Sequence, residues 1–229
     1  MAELQGDRPR KAVLSWSGGK DSSLALWEAR RLGWNVVSLL TTVTEPFDRV
    51  SMHGVRNVLL SQQAKAVGLP VRRVAIPSPC TNAEYQRRMG NAVSAFGAEG
   101  VDAFLFGDLF LADIRAYREA QLAPTGIAAR FPLWGRDTAT LARTFVRSGF
   151  RAYVVTVDPR RLDRSLAGVA YDETFLDRLP ADVDPCGENG EFHTFVWDGP
   201  VFRYPVAVRA GEVVERAGFV FADLVPSSG

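Results

Sequence analysis

The chain has 229 residues, of which 47% are apolar and 23% charged, and its 27 basic and 26 acidic side chains give a formal net charge of +1. This composition is typical of a soluble globular protein, and the near-zero charge argues against a protein that holds nucleic acid through bulk electrostatics. No apolar run reaches the roughly 20 residues of a membrane-spanning helix, and the polar amino terminus lacks the pattern of a signal peptide, so we expect a cytoplasmic protein.

Apolar runs alternate with segments of helical period along the first two thirds of the chain, which predicts an α/β fold with a parallel sheet. The predicted strands of this sheet are residues 12–16, 36–42, 71–76, 101–107 and 152–157. The predicted helices are residues 24–32, 55–67, a helix capped by Asn82, 111–122 and 137–148. Beyond residue 180, short segments of period 2 predict strands at 192–197, 206–209 and 213–221. We therefore expect an α/β domain over residues 1–158 and a smaller C-terminal α+β part over residues 159–229.

The string S-G-G-K-D-S at residues 17–22 lies between the first predicted strand and the first predicted helix. Its two glycines permit backbone conformations in which successive N–H groups converge on an anion at the positive end of a helix. Lys20 adds a cation, and Ser17 and Ser22 add hydroxyl donors. The string is not a Walker A loop, because Leu14 stands where that motif has glycine and Asp21 follows the lysine. The alternative is an ordinary turn in which Ser17 or Asp21 only caps the helix.

This string resembles the signature of the PP-loop ATP pyrophosphatases, which bind the phosphates of ATP and release pyrophosphate while an adenylate forms. The resemblance implies a doubly wound parallel sheet of the adenine nucleotide alpha hydrolase (HUP-like) type in a nucleotide-binding domain. It also implies that Asp21 helps hold Mg²⁺, a cation that prefers carboxylate and phosphate oxygens. The phosphate contacts that it implies come from Ser17, Gly18, Gly19, Lys20 and Ser22.

Two residues near the second predicted strand are further candidates for contacts with ATP. Thr41 lies at the end of that strand, and His53 follows it in a region that resembles the nucleotide-proximal loop of the same proteins. A lone histidine is more often structural, and that alternative applies to His53.

A second distinctive string, D-P-C-G-E-N-G-E-F-H-T, occupies residues 184–194. Glu188 and Glu191 could bind ammonium or act as bases, and His193 could relay a proton. Cys186 and Asn189 in the same turn are candidate substrate contacts. The structural alternatives are a glycine-rich hairpin with solvated glutamates, an inert buried thiol, and a histidine satisfied within an aromatic strand.

With Gly107-Asp108, Pro132-Leu133-Trp134 and Asp198-Gly199-Pro200, this string is similar to the diphthine-ammonia ligase family, over about residues 11–202. That family uses ATP and ammonium to amidate the carboxylate of diphthine, giving diphthamide, AMP and pyrophosphate. The resemblance implies amide formation through an acyl adenylate. Relatives also occur in bacteria, which have no diphthine. We therefore expect the acceptor to be a small-molecule or protein-borne carboxylate, which need not be diphthine. The candidate catalytic residues are Lys20, Asp21, Glu188, Glu191 and His193.

Asp108 stands at the end of a predicted strand, where α/β sheets usually bind ligands, and is a candidate substrate contact. Arg115 and Arg118 lie three apart on the next predicted helix and could face one anionic partner. Alternatively, both are solvated arginines that pair with Glu119 or Asp113.

Two other functions compete with the ligase. A non-catalytic module could bind ATP or AMP with the same loop. A PP-loop tRNA sulfurtransferase would need a cysteine pair or a metal site, and Cys80 and Cys186 form no C-x-x-C pair. Apolar residues around 192–202 suggest a homodimer surface.

Overall fold

A parallel sheet forms the amino-terminal part of the computed structural model, which describes residues 10–45, 49–50 and 54–227. Its strands are β1 (Lys11–Ser15), β2 (Asn35–Thr44), β3 (Arg49–Val50), β4 (Val71–Ile76), β5 (Ala103–Leu105) and β6 (Ala128–Arg130). The helices of the chain are α1 (Lys20–Arg31), α2 (Asn57–Val67), α3 (Asn82–Ala98), α4 (Ala112–Leu122), α5 (Thr138–Arg147) and α6 (Glu173–Asp177).

Among the described residues, the parallel strands follow the order β4-β2-β1-β5-β6, and β3 pairs antiparallel with the end of β2. The chain therefore moves from β1 to one side of the sheet through β2 and β4, and returns to the other side through β5 and β6. Open α/β sheets bind ligands at the carboxyl ends of the strands where this direction changes. That place is the end of β1.

Helices cover both faces of the sheet, as a doubly wound fold requires. Along β1, Ala12 and Leu14 point into one core and Val13 into the other. The first core also contains residues of α1, α2 and the C-terminal part, and the second contains residues of α3 and α4. Burial on both faces explains why the strand is apolar at consecutive positions rather than alternating.

A second sheet, entirely antiparallel, forms in the C-terminal part. Its strands are β7 (Arg151–Val157), β8 (Phe192–Asp198), β9 (Val208–Arg216) and β10 (Phe219–Pro226), in the order β8-β7-β10-β9. The expected α/β fold with a smaller α+β part is confirmed. Two separate strands were expected at 206–209 and 213–221, but β9 and β10 form one hairpin. Its turn, at Ala217 (φ 51°) and Gly218 (φ 80°), lies within the second expected strand.

The strand expected at residues 152–157 forms as β7, but it does not extend the parallel sheet. It pairs antiparallel with β8 and β10. The two sheets therefore divide between β6 and β7, whereas the domain limits 1–158 and 159–229 stay a prediction. The three-residue strand β6 was not expected from the sequence.

The apolar residues between 192 and 202 do not form an exposed surface. Phe192, Phe195, Val196 and Val201 are each at most 3% exposed and belong to the core of the chain. The basis for expecting a dimer there is therefore wrong. None of the helices in the described ranges has the length and apolarity to cross a lipid bilayer.

Candidate active site

The loop between β1 and α1 is held in a tight turn at the carboxyl end of β1. Gly18 has φ 80°, a left-handed conformation that favours glycine. The Gly19 amide donates to Ser17 Oγ (3.2 Å), and Ser22 Oγ donates to the Gly19 carbonyl (2.9 Å). The hydroxyls and glycines of residues 17–22 therefore shape one continuous turn at the amino terminus of α1.

Strand β8 of the second sheet holds this loop from the side. The Val196 amide donates to the Gly18 carbonyl (2.9 Å), and the Lys20 amide donates to Thr194 Oγ1 (3.0 Å). The distinctive string at residues 184–194 thus comes to lie against the loop at residues 17–22, although more than 160 residues separate them in the chain. The site is built jointly by both sheets.

Lys20 supplies a fixed cation within this site. Its side chain is 5% exposed, its Nζ lies 2.7 Å from Asp21 Oδ2, and it lies 5.5 Å from the centre of the Phe192 ring. Burial alone would lower the pKa of Lys20, but the charges of Asp21 and Glu188 offset it and the pKa is raised. Burial raises the pKa of Asp21, against the opposing effect of Lys20. The ammonium therefore stays charged at neutral pH.

A cavity of about 360 Å³ opens beside the loop at the carboxyl edge of the parallel sheet. Nine of the residues predicted from the sequence line it, namely Ser17, Lys20, Asp21, Ser22, Thr41, Asp108, Arg118, Glu188 and His193. Those in the described part that do not line it are Gly18, Gly19, Arg115, Cys186, Asn189 and Glu191. His53 lies outside the described residues.

Glu188 reaches the cavity from the turn that precedes β8. Its Oε1 accepts from the Leu109 amide (2.7 Å), just beyond β5. Burial raises the pKa of Glu188 to about 7, although the Leu109 amide acts in the opposite direction. A carboxyl group that changes protonation state near neutral pH, in a cavity beside a lysine, is suited to transferring protons.

Gly107 allows β5 to approach the start of α1 closely. A Cβ at this position would lie 3.0 Å from the backbone carbon of Asp21. The absence of a side chain here lets the segment that carries Asp108 approach the backbone of Asp21.

Glu191, three residues after Glu188, does not face the cavity but makes hydrogen bonds within the turn. It is 2% exposed, and its carboxylate accepts from the Asn189 amide (3.0 Å), the Asn189 side chain (3.0 Å) and the Asp184 amide (3.3 Å). Both Glu191 and Asn189 therefore shape the turn that presents Glu188, rather than facing the cavity themselves.

We expect Glu191→Gln to weaken folding more than nucleotide binding, because an amide NH₂ would replace an oxygen that accepts from backbone N–H groups. The expected loss in the free energy of unfolding is about 1–3 kcal/mol, with ATP affinity within about twofold of the wild type. Thermal unfolding and calorimetric titration with ATP would measure the two effects. Glu119→Gln, at an exposed glutamate of α4, is the control. An unchanged melting temperature with turnover abolished would instead assign Glu191 a catalytic role.

Cys186 and His193 are both neutral at physiological pH. Cys186 is buried, its Sγ donates to the Thr138 carbonyl (3.4 Å), and burial raises the pKa of its thiol. A reactive thiolate is therefore not favoured. Burial, reinforced by the charge of Lys20, lowers the pKa of His193 to about 4. Its imidazole faces the cavity as a neutral hydrogen-bonding group.

The two arginines of α4 do not act together. Arg118 lines the cavity, where its Nε lies 2.8 Å from Asp108 Oδ2 and its guanidinium lies 4.5 Å from the centre of the Phe106 ring. Arg115 instead pairs with Glu119 (2.8 Å). Only Arg118 is placed to meet a ligand in the cavity.

Several residues in or beside the cavity were not predicted from the sequence, among them Tyr85, Met89 and Gln63. Tyr85 and Met89 of α3 form a wall of the cavity, and the amide of Gln63 in α2 is buried against the loop at residues 17–22. Tyr85 and Met89 lie four apart on one face of α3, where they resemble ordinary core residues of an amphipathic helix. For Gln63, the one available signal of a role at the site was its polar side chain in a helix expected to pack against the sheet.

Within the described part of the chain, no three His, Cys, Asp or Glu side chains are gathered to bind a metal ion. The carboxylates of Asp21, Asp108 and Glu188 nevertheless all line the cavity. Mg²⁺ is usually held by one or two carboxylates together with substrate phosphates. These residues therefore fit an ion that enters with a nucleotide, and do not form a site that would bind Mg²⁺ alone.

The sequence matches family models over most of its length. Residues 10–122 match the diphthamide synthase N-terminal domain, and residues 137–222 match the diphthamide synthase C-terminal domain. The chain belongs to the diphthamide synthase family. The two matched segments contain the loop at residues 17–22 and the turn at residues 184–194, the two parts that build the cavity.

Curated relatives in this family carry the name diphthine–ammonia ligase. The protein from Danio rerio is 27% identical over 231 residues, covering 90% of this chain and 89% of the relative. The Homo sapiens protein is 26% identical over 229 residues, covering 90% and 85%. The Schizosaccharomyces pombe protein is 27% identical over 221 residues, which cover 88% of this chain but only 36% of the longer relative.

Proposed function

We propose that this protein is an ATP-dependent ligase that joins ammonia to a carboxylate and releases AMP and pyrophosphate. One observation carries the proposal: a glycine-containing loop with a buried lysine and a carboxylate of raised pKa line the same cavity. The relatives named diphthine–ammonia ligase support the same reaction class. In this chain the acceptor is a small-molecule or protein-borne carboxylate of which diphthine is the first candidate.

The first step forms an acyl adenylate. The acceptor carboxylate attacks the α-phosphorus of ATP, a P–O bond to the β-phosphate breaks, and pyrophosphate leaves with the electron pair. The loop at residues 17–22 and Lys20 bind the phosphates, where charge builds up on the departing group. Arg118 faces the same cavity and is suited to orienting the acceptor carboxylate.

Activation is needed because a free carboxylate has no adequate leaving group. In the adenylate, the acyl carbon carries AMP, which ammonia displaces to give the amide. Glu188 in its ionised form accepts the proton that ammonium must lose before its nitrogen can attack. The neutral His193 can hold ammonia or the acceptor through a hydrogen bond. Asp21 would hold Mg²⁺ together with the phosphates, and the ion would neutralise phosphate charge.

The two alternative functions, a tRNA sulfurtransferase and a non-catalytic nucleotide-binding module, require different residues. A sulfurtransferase needs an activated thiolate, and the buried Cys186 thiol has a raised pKa. A module that only binds nucleotide does not require a carboxylate of raised pKa beside the phosphate loop. The ligase accounts for Lys20, Asp21 and Glu188 together.

Product analysis with ATP labelled at the α-phosphate tests the reaction class. The protein is incubated with Mg²⁺, ammonium and either elongation factor 2 bearing diphthine or a panel of small carboxylates. We expect labelled AMP with unlabelled pyrophosphate, and amide only when ammonium is added. In a parallel reaction with labelled pyrophosphate and unlabelled ATP, we expect the label to enter ATP when a carboxylate is present. ADP and phosphate as the only products would refute the proposal, and no exchange with any acceptor would favour a binding module.

A further inference from the structure

A fully buried glutamine of α2 lies between the phosphate loop and strand β8. Gln63 is 0% exposed and uses every hydrogen-bonding atom of its amide. Its Oε1 accepts from Trp16 Nε1 (3.0 Å), and its Nε2 donates to the Gly18 carbonyl (2.8 Å) and to the Val196 carbonyl (2.5 Å). This one side chain therefore joins the end of β1, the loop and the strand that carries His193.

The orientation of this amide is fixed by its partners. The indole of Trp16 can only donate, so the glutamine oxygen must face it. The amide nitrogen then faces two carbonyl groups, which can only accept, and each receives one of its two hydrogens. A side chain of the same size without the amide would leave two buried carbonyls and one indole N–H without these partners, a costly arrangement in a protein interior.

The geometry of the loop depends on the same contact. A Cβ on Gly18 would lie 2.6 Å from Gln63 Oε1, so loop and glutamine are packed without space between them. The Val196 amide also donates to the Gly18 carbonyl, and Gln63 donates to that carbonyl from a second direction. The peptide that follows Gly18 is thereby locked, and Lys20, two residues later, lines the cavity that holds the phosphates in the proposed function.

We propose that Gln63 is a positioning residue that sets the phosphate loop for ATP and couples it to strand β8. This inference rests on the proposed function for its ligand, ATP, but the coupling itself concerns the loop alone. It assigns a role in nucleotide binding to a residue that does not line the cavity.

Substitution with methionine and with glutamate tests this role. Gln63→Met keeps the volume and removes the amide, and we expect its Kd for ATP to rise about ten- to a hundredfold. Gln63→Glu behaves similarly when ionised, but a protonated glutamic acid can again donate to one carbonyl. Burial raises the pKa of such a group, so lowering the pH from 8.5 to 6 should restore part of the affinity.

The readout is the ratio of each variant's Kd to the wild-type Kd at the same pH, which removes the pH dependence of ATP itself. The ratio should fall at least threefold for Gln63→Glu between pH 8.5 and 6, and stay constant for Gln63→Met. Gln62→Met is the matched control on the same helix, because among the described residues the Gln62 Oε1 has no hydrogen-bond partner. Its Kd should stay within twofold of the wild type.

Hydrogen exchange of the peptide over residues 16–22, without nucleotide, gives a second readout that does not depend on ATP. Faster exchange in Gln63→Met than in Gln62→Met supports the inference. Equal exchange and an unchanged Kd in Gln63→Met would overturn it, as would a pH-independent ratio for Gln63→Glu. A wild-type protein that does not bind ATP would overturn both the proposed function and the role of Gln63 in ATP binding. The hydrogen-exchange rates would then test only the coupling of the loop to strand β8.

Discussion

Replacing Lys20 with methionine is expected to lower kcat/KM for ATP by about a hundred- to a thousandfold, the usual effect of removing one group that stabilises transition-state charge. The Lys20 ammonium is almost completely buried, so water cannot take over its role. Its removal also leaves the Asp21 carboxylate without the ion pair at 2.7 Å, beside the phosphates it would repel. Steady-state pyrophosphate release at varied ATP would measure the change.

The chain offers a matched control at Lys65, which is exposed near the end of α2. Lys65→Met changes the net charge equally and should leave kcat/KM within twofold of the wild type. Calorimetric titration gives the Kd for ATP, and the steady-state assay gives kcat. We expect Lys20→Met to raise the Kd and to lower kcat. A decrease below about fivefold for Lys20→Met in a folded protein would show that the phosphates lie elsewhere.

Glu188→Gln is expected to reduce the rate of amide formation by about a hundred- to ten-thousandfold, the range for loss of a general base, while ATP affinity stays within a few-fold of the wild type. The glutamine retains an oxygen that can accept from the Leu109 amide, so the turn should keep its shape. Amide formation from ammonium, measured by single turnover after the adenylate has formed, isolates the affected step.

The pH dependence gives a sharper test of the same residue. Glu188 has a pKa of about 7 and must be ionised to accept a proton, so the wild-type rate should rise as the pH increases through 7. The total ammonium concentration is kept constant and saturating, at pH values where ammonium predominates over ammonia, so that the substrate of this step does not change across the series. This rise should be absent in Glu188→Gln. The same inflection in both proteins would assign the titration to another group.

Short local strings made part of the site predictable. The run S-G-G-K-D-S predicts a phosphate loop because glycines, hydroxyls and a cation are adjacent in sequence. Residues 17–22 form a tight turn at the amino terminus of α1, and their binding of phosphates stays a prediction. The string at residues 184–194 was recognised, but it could not separate Glu188 from Glu191. Their roles differ because the turn directs one carboxylate toward Leu109 and folds the other onto its own backbone.

Contacts between distant residues account for what the sequence did not reveal. Gln63 meets its partners 45 and 133 residues away, and no local pattern encodes those pairings. Strand β7 was found as an apolar run, but hydrophobicity indicates burial and does not specify the sheet a strand joins. The turn of the β9–β10 hairpin was not predicted because Ala217 is not a typical residue at positive φ.

The most direct measurement is a crystal structure with Mg²⁺ and an ATP analogue that carries a methylene group between the α- and β-phosphorus atoms. We expect the β- and γ-phosphate oxygens within hydrogen-bonding distance of Lys20 Nζ and of the Ser17 hydroxyl, which both line the cavity, with the α-phosphorus facing the side that contains Asp108 and Glu188. A triphosphate bound away from residues 17–22, with Lys20 still paired only to Asp21, would contradict the assignment of this cavity as the site of ATP cleavage.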